Sequence, residues 1–219
     1  MKQGTGYGVE FCGASLEARP SGALWWAARD MLVVSDLHLG KSERMARLGG
    51  AVLPPYETLE TLERLEADLE ATGARVVVCL GDSFDDAAAA RGLPEDVVTR
   101  LMRMQAGRDW VWIEGNHDPG PVSLGGAHLA EMEVGPLVLR HIAEDGAQGE
   151  VSGHYHPKVR IAGASRRCFL VDDRRLILPA YGTYTGGLRS RDPALAGLMG
   201  PRALAILTGP VARAMPMPR

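Results

Sequence analysis

The stretch ARVVVCLGD, residues 74–82, is an apolar run rich in valine that stops abruptly at Gly-Asp. Two other stretches are built alike: MLVVSD (31–36) and WVWIEGN (110–116). A strand with one wet face alternates apolar and polar residues. Runs that are apolar throughout instead fit a sheet covered on both faces. Helical patterns lie between them. In residues 54–73, Leu59, Leu62, Leu65 and Leu69 recur at helical spacing, and Gly73 suits the position just past a helix end. Residues 93–107 repeat the arrangement, with Pro94 near the start and Gly107 after the end. Strand–helix–strand alternation predicts right-handed βαβ units.

The character changes after about residue 127. HLAEMEVGPLVLRHIA (128–143) reads as a hairpin about Gly135-Pro136. VSGHYHPKVRI (151–161) and CFLVDDRRLILP (168–179) read as further strands, the latter turning at Asp172-Asp173, and RALAILTG (202–209) as the last strand. Residues 8–28 add strand-like pieces before the first βαβ unit. No linker or repeat divides the chain, so residues 1–219 are expected to form one α/β domain. A two-sheet core with helices outside accommodates the order of elements.

Composition narrows the function. The chain has 219 residues, 46% of them hydrophobic, and a formal net charge of −3 with a pI near 6.1. That excludes a mainly disordered chain. It also excludes the overall basic balance of a nucleic-acid coat protein, so any nucleic-acid partner must be held by a local basic patch or by bound metal. No apolar run approaches the length of a membrane helix, and the start MKQGTGYGVEFCG does not read as a signal peptide. Cys12, Cys79 and Cys168 are scattered and read as reduced thiols of a cytoplasmic protein.

The chemistry collects after the strands. Asp36-Leu37-His38, Gly81-Asp82, Gly115-Asn116-His117-Asp118, His141 and Gly153-His154-Tyr155-His156 each follow a strand-like run. In an open α/β sheet, ligands bind beyond the carboxyl ends of the strands, so these clusters converge. Together they offer Asp36, His38, Asp82, Asn116, His141, His154 and His156. This mixed nitrogen and oxygen set suits Mn²⁺, Fe or Zn²⁺. It is too large for one tetrahedral zinc and about right for two metals sharing a carboxylate. Each piece taken singly has a bland explanation, such as a turn or a surface histidine; the ordered set does not. His128 reads as structural or exposed.

This ordered set resembles that of the calcineurin-like metallophosphoesterase superfamily. The resemblance implies a four-layer α/β/β/α sandwich with a dimetal site at the strand ends. The segments DLHLGK (36–41), LPPYETLETL (53–62), LGDSFDD (80–86), EGNHDPG (114–120), GEVSGHYHPK (149–158) and LPAYGTYTGGL (178–188) are more closely similar to the ligase-associated DNA damage response endonucleases, the PdeM family. One departure is Asp85, where relatives often carry His. The resemblance implies a metal-dependent phosphodiesterase, a DNA endonuclease of bacterial repair. Its gene-cluster companions would be an ATP-dependent DNA ligase, a helicase and an exonuclease. Asp36, His38 and His156 would bind one metal, Asn116, His141 and His154 a second, and Asp82 both, with Mn²⁺ the expected ion. A bridging hydroxide would attack the phosphate in line. His117 would stabilise the transition state or protonate the leaving group, with Asp118 either orienting it or serving as an ordinary loop aspartate.

Lys41, Arg44, Arg47, Lys158, Arg160, Arg166 and Arg167 are candidates for holding a polynucleotide backbone, or for a solvated charged face. Tyr155, Tyr181 and Tyr184 are candidates for base stacking or for packing. Gly182, Gly186 and Gly187 suggest a tight loop approaching the site. Two other readings stay open: a dimetal hydrolase of a small nucleotide, pyrophosphate or phosphomonoester, and a protein-binding scaffold on a decayed enzyme fold. Self-association is also left open.

Overall fold

The structure, a computed structural model, describes residues 5–50, 54–120 and 123–219. The first four residues of the N-terminal stretch, and Leu53 of the LPPYETLETL segment, lie outside them.

Two sheets stack face to face. The first has the strand order β1 (Tyr7–Phe11), β2 (Ala14–Ala18), β3 (Leu24–Trp26), β4 (Met31–Val34), β5 (Val76–Leu80), β6 (Asp109–Ile113), β7 (Ala127–Leu129). β1 to β4 pair antiparallel, and β4 to β7 pair parallel. The three apolar runs are thus the adjacent parallel strands β4, β5 and β6, as their two-sided burial requires. On β4, Met31 and Val33 face the other sheet while Leu32 and Val34 face helices; β6 divides Val111 and Ile113 from Trp110 and Trp112 in the same way.

The second sheet runs β15 (Arg213–Pro216), β14 (Leu204–Leu207), β12 (Ala164–Val171), β13 (Arg175–Ile177), β10 (Glu150–Ser152), β9 (Leu137–Arg140), β8 (Glu131–Val134), with β11 (Lys158–Ile161) paired to β12. β10 lies parallel to both β9 and β13, so its carboxyl end points the same way as theirs. The inter-sheet core joins Phe11, Val78, Leu80 and Ile113 to Leu139, Val151, Phe169 and Ile206.

Helices α2 (Glu57–Thr72) and α4 (Glu95–Gln105) cover the outer face of the first sheet through Leu62, Leu65, Leu69, Val97, Leu101 and Met104. Gly73 closes α2 in the left-handed conformation, φ 65°, its N–H bonded to the Leu69 carbonyl. α5 (Pro193–Leu198) packs Leu195 on the outer face of the second sheet. The layers are therefore α/β/β/α, with the fourth one short helix. Cys79 and Cys168 are buried on the outer faces of the two sheets, where burial pushes both thiols up, Cys168 to about 12.

Two expectations need adjusting, and three short helices are added. His128 belongs to β7 of the first sheet, and the hairpin is β8–β9 alone. β14 is not the last strand, since β15 follows it. The short helices α1 (Lys41–Arg47) and α3 (Ala87–Arg91), like α5, carry no apolar periodicity long enough to read. No helix among the described residues is long and apolar enough to cross a membrane.

Phe169 is fully buried between the sheets. Phe169→Ala should cost about 3–5 kcal/mol, measured by urea unfolding. A loss below about 1 kcal/mol would show that the sheets do not pack through it.

Candidate metal centre

Every site residue sits just past a carboxyl end. Asp36 and His38 follow β4, Asp82 follows β5, Asn116 follows β6, His141 follows β9, and His154 and His156 follow β10. Parallel packing within each sheet and face-to-face stacking bring five loops to one rim. His128, on β7, stacks near Trp112 and joins none of the clusters.

The backbone at this rim is strained. Nine non-glycine residues among those described have positive φ, and five of them are Asp36, His38, Asp82, His154 and His156, at 46–68°. A left-handed L-residue costs about 1–2 kcal/mol, so such a concentration persists only where surroundings impose it. Here the loops impose it on one another. Asp36 N–H donates to the Gly81 carbonyl, His38 N–H to that of Asp82 and Leu39 N–H to that of Ser83. His154 N–H donates to Asp36 Oδ2 at 3.0 Å, and Ser35 Oγ to the same oxygen at 2.6 Å. Close approach explains the glycines of the motifs. A Cβ on Gly81 would come within 2.5 Å of the His141 ring, and one on Gly153 would overlap Ser35 Oγ.

Two ligand groups result. In the first, Asp36, His38 and His156 gather, with His156 Nε2 3.1 Å from Asp36 Oδ1. Asp36 Oδ1, His38 Nε2 and His156 Nε2 are all buried without a hydrogen-bond partner. A carboxylate oxygen and two imidazole nitrogens turned toward one another in a protein interior are of the types that coordinate a cation, and a cation would satisfy all three.

In the second group, Asp82, His141 and His154 gather. His141 Nδ1 donates to the Leu80 carbonyl at 2.9 Å, which leaves the lone pair on Nε2. Around that Nε2 stand Asn116 Oδ1 at 3.0 Å, His154 Nδ1 at 3.3 Å and Asp82 Oδ2 at 3.4 Å. Acceptors crowd together there, the arrangement a metal needs. Asp82 Oδ1 accepts the His117 N–H at 2.8 Å, and Oδ2 also faces His38 Nε2 at 3.9 Å, so this carboxylate borders both groups.

Burial opposes ionisation of both carboxylates, but their histidine neighbours outweigh it. Asp36 is held below its ordinary range by His156 and His141, and Asp82 is pulled down to about 2 by His141 and the His117 N–H. Both are thus anionic, as ligands must be. Burial and the neighbouring His141 push His154 down, while Asp82 and Asp36 hold His141 up.

Of the two readings of Asp118, the geometry matches the loop aspartate rather than a partner of His117. Asp118 accepts the backbone N–H groups of Asp82, Ser83 and Phe84 at 2.9, 2.7 and 3.1 Å, and so builds the loop that carries Asp82. Burial lifts its carboxyl to about 6, aided by the charge of Asp82 and resisted by the three donors. His117 instead places Nδ1 2.9 Å from the Asp85 carbonyl. Because a carbonyl only accepts, the Nδ1 carries the proton and Nε2 is left free.

Asp85 is the residue that sequence reasoning left without a role. It is fully buried, its Oδ1 2.8 Å from His38 Nδ1. Lys41 Nζ and Arg44 also reach it, each at 3.1 Å, and hold its carboxyl well below the usual range. Asp86 takes Arg44 and Arg47 at 3.2 and 2.7 Å. Each of these three cations is therefore paired with a carboxylate of the same rim. His38, Asp85 and His117 form a third group of ligand-type atoms around the same rim.

The 178–188 loop braces the site from the other side. Tyr181 N–H donates to the Ser35 carbonyl and Gly182 N–H to that of Asp36, while Leu188 N–H donates to that of Tyr155. Arg167 holds the carbonyls of Ala180 and Gly182, Arg64 that of Tyr181, and Lys158 that of Thr185. Tyr181 is fully buried, its hydroxyl on Asp68 at 2.8 Å, so it packs rather than stacks. Tyr155 is half-buried against His154, and Tyr184 is exposed.

The sequence signature described as calcineurin-like phosphoesterase matches residues 30–180. Among solved structures, the chain is similar to a Pseudomonas putida nuclease, MPE: 28% identity over 96% of this chain and all of that one, with a TM-score of 0.76. A phosphoesterase from E. coli, Yfce, is 14% identical over 86% of this chain and 99% of that one, at a TM-score of 0.41. No match is found among curated proteins.

Asp118→Ala removes a charged acceptor from three N–H groups. It should cost at least about 2 kcal/mol, seen as a fall in Tm of about 4–8 °C, and should weaken metal uptake. His128→Ala should leave metal content unchanged. Metal analysis and thermal melts check both; an unchanged Tm in the first variant would refute its structural role.

Proposed function

The chain belongs to the calcineurin-like phosphoesterase family, and on that premise we propose that it is a metal-dependent phosphodiesterase that cleaves polynucleotides. Its closest functional type would be a DNA endonuclease of the PdeM kind. The observation that carries this is the pair of three-residue ligand groups meeting at Asp82 Oδ2. A two-metal site of this kind is what in-line displacement at phosphorus needs. The likeness to the P. putida nuclease over almost the whole chain supports a polynucleotide substrate.

Asp36, His38 and His156 would hold one divalent cation, and Asn116, His141 and His154 a second, with Asp82 shared. The donor set accepts Mn²⁺, Fe or Zn²⁺, and Mn²⁺ is the ion proposed. When bound, the pair of ions would neutralise phosphate charge and lower the pKa of a water between them. The chain's own residues do the rest. Asp118 fixes the backbone that aims Asp82. The Asp85 carbonyl holds the Nδ1 proton of His117, so that its Nε2 can carry a second proton and give it to the departing oxygen. His117 lies edge-on to His38, ring centres 5.2 Å apart, at the edge of the first group. Three unpaired cysteines fit a reducing compartment, and a cytoplasmic setting is part of the proposal.

Chelator-stripped protein resupplied with Mn²⁺ should hydrolyse bis-p-nitrophenyl phosphate in preference to p-nitrophenyl phosphate. Asp82→Asn should lose this activity and at least one equivalent of metal. His117→Ala should keep both metals yet lose about 10²-fold or more in turnover. Preference for the monoester would favour a small-molecule phosphatase, and metal loss in His117→Ala would reassign that residue as a ligand.

A further inference from the structure

β11 leaves the site directly, since Lys158 stands two residues after His156. Beside it runs the segment 188–190. Lys158 N–H donates to the Leu188 carbonyl and Ser190 N–H to the Lys158 carbonyl, both at 2.8 Å, and Lys158 pairs with Arg189 in parallel register. The chain turns directly after this bridge, Asp192 N–H donating to the Arg189 carbonyl at 2.8 Å. Ser190 is buried and anchors the segment through its hydroxyl on the Pro218 carbonyl at 2.9 Å.

Arg160, Arg189 and Arg191 consequently line one depression of about 240 Å³. All three are exposed, and none has an acidic partner within 4.0 Å among the described residues. Asp192 is adjacent in sequence, but its carboxylate caps α5 through the Ala194 N–H. This contrasts with Lys41, Arg44 and Arg47, each tied to Asp85 or Asp86. Like charges gathered around one depression repel, and no carboxylate among the described residues pairs with them within 4.0 Å. An anion docked there would.

Position identifies the anion. Arg160 is four residues from His156, so their Cα atoms are no more than about 14 Å apart. That is a span of a few nucleotides. Arginine's planar fork matches phosphate oxygens two at a time. We propose that Arg160, Arg189 and Arg191 form a subsite for the phosphodiester backbone of the strand being cut, held a few nucleotides from the metal centre. The proposal rests on the polynucleotide reading above, and its net effect would be local, since the chain as a whole carries −3.

The test compares wild type with the Arg160→Ala/Arg189→Ala/Arg191→Ala variant and with the corresponding triple lysine variant, each as the Mn²⁺-loaded full chain. Bis-p-nitrophenyl phosphate is too small to span from the metals to the arginines, so its hydrolysis should stay within about twofold in all three. Binding of a fluorescein-labelled oligo-dT, followed by anisotropy, should weaken about 10-fold or more in the alanine variant at low salt. The slope of log affinity against log salt should become shallower by about 2–3. The lysine variant should recover most of that slope. Unchanged affinity and slope in the alanine variant, with ester hydrolysis intact, would overturn the subsite. A comparable loss of ester hydrolysis would overturn it too, by making the arginines structural. Wild type that cleaves the ester but binds no oligo-dT would sink the subsite and the polynucleotide reading together, while leaving the phosphodiesterase standing.

Discussion

Two buried carboxylates set the terms for this structure. Asp36 and Asp82 are held as anions in a water-poor rim, each with one oxygen satisfied by hydrogen bonds. Asp36 Oδ2 takes Ser35 Oγ and the His154 N–H, and Asp82 Oδ1 takes the His117 N–H. The second oxygen of each is left to face imidazoles. A carboxylate anchored through one oxygen cannot turn away, so the bare oxygen stays aimed at the place where a cation would sit. The same division recurs in His141, whose Nδ1 is fixed by the Leu80 carbonyl while Nε2 points at the cluster. One atom is fixed and the other is left to ligate, a division known to sharpen metal sites.

Holding that aim taxes the backbone, and the strain explains features that otherwise look unrelated. Five ligand-type residues in left-handed conformation need neighbours that leave no room for relaxation. The loops after β4 and β5 are zipped together by backbone hydrogen bonds, Asp118 collects three N–H groups of one of them, and the 178–188 loop is pinned to the other. Arg64 and Arg167 sit under that loop with their guanidinium groups spent on main-chain carbonyls. Burial, together with the nearby charge of Arg64, brings Arg167 down to about 10. Such a residue braces the loop and is poorly placed to grip a substrate.

Much of this was legible because the parallel strands β4, β5 and β6 are apolar on both faces, which locates the carboxyl ends where the chemistry gathers. The seven ligand-type residues follow from that rule and from their order along the chain. What was not legible depends on side-chain direction. Asp118 directly follows His117, and adjacency suggested a partnership; in a tight turn, adjacent side chains diverge, and Asp118 turns back under the Asp82 loop. Asp85 looked like a mere departure from a pattern, since nothing local shows that it will be buried beside His38. The short helices α1, α3 and α5 span five to seven residues, too few for a hydrophobic period to declare itself.

The charges around the rim are sorted rather than averaged. On the side of α1, Lys41, Arg44 and Arg47 meet Asp85 and Asp86, so a lysine and two arginines add rigidity beneath His38 and little outward field. Beyond β11, Arg160, Arg189 and Arg191 meet no carboxylate within 4.0 Å among the described residues. Fixed charges attract over roughly a Debye length, about 10 Å at moderate salt, so the second group projects a stronger outward positive field than the first. A slightly acidic protein can thus still present a local cluster of positive charge at the far end of the strand that leaves the candidate metal centre. Net charge, a whole-molecule sum, was never the right measure of what this surface can bind.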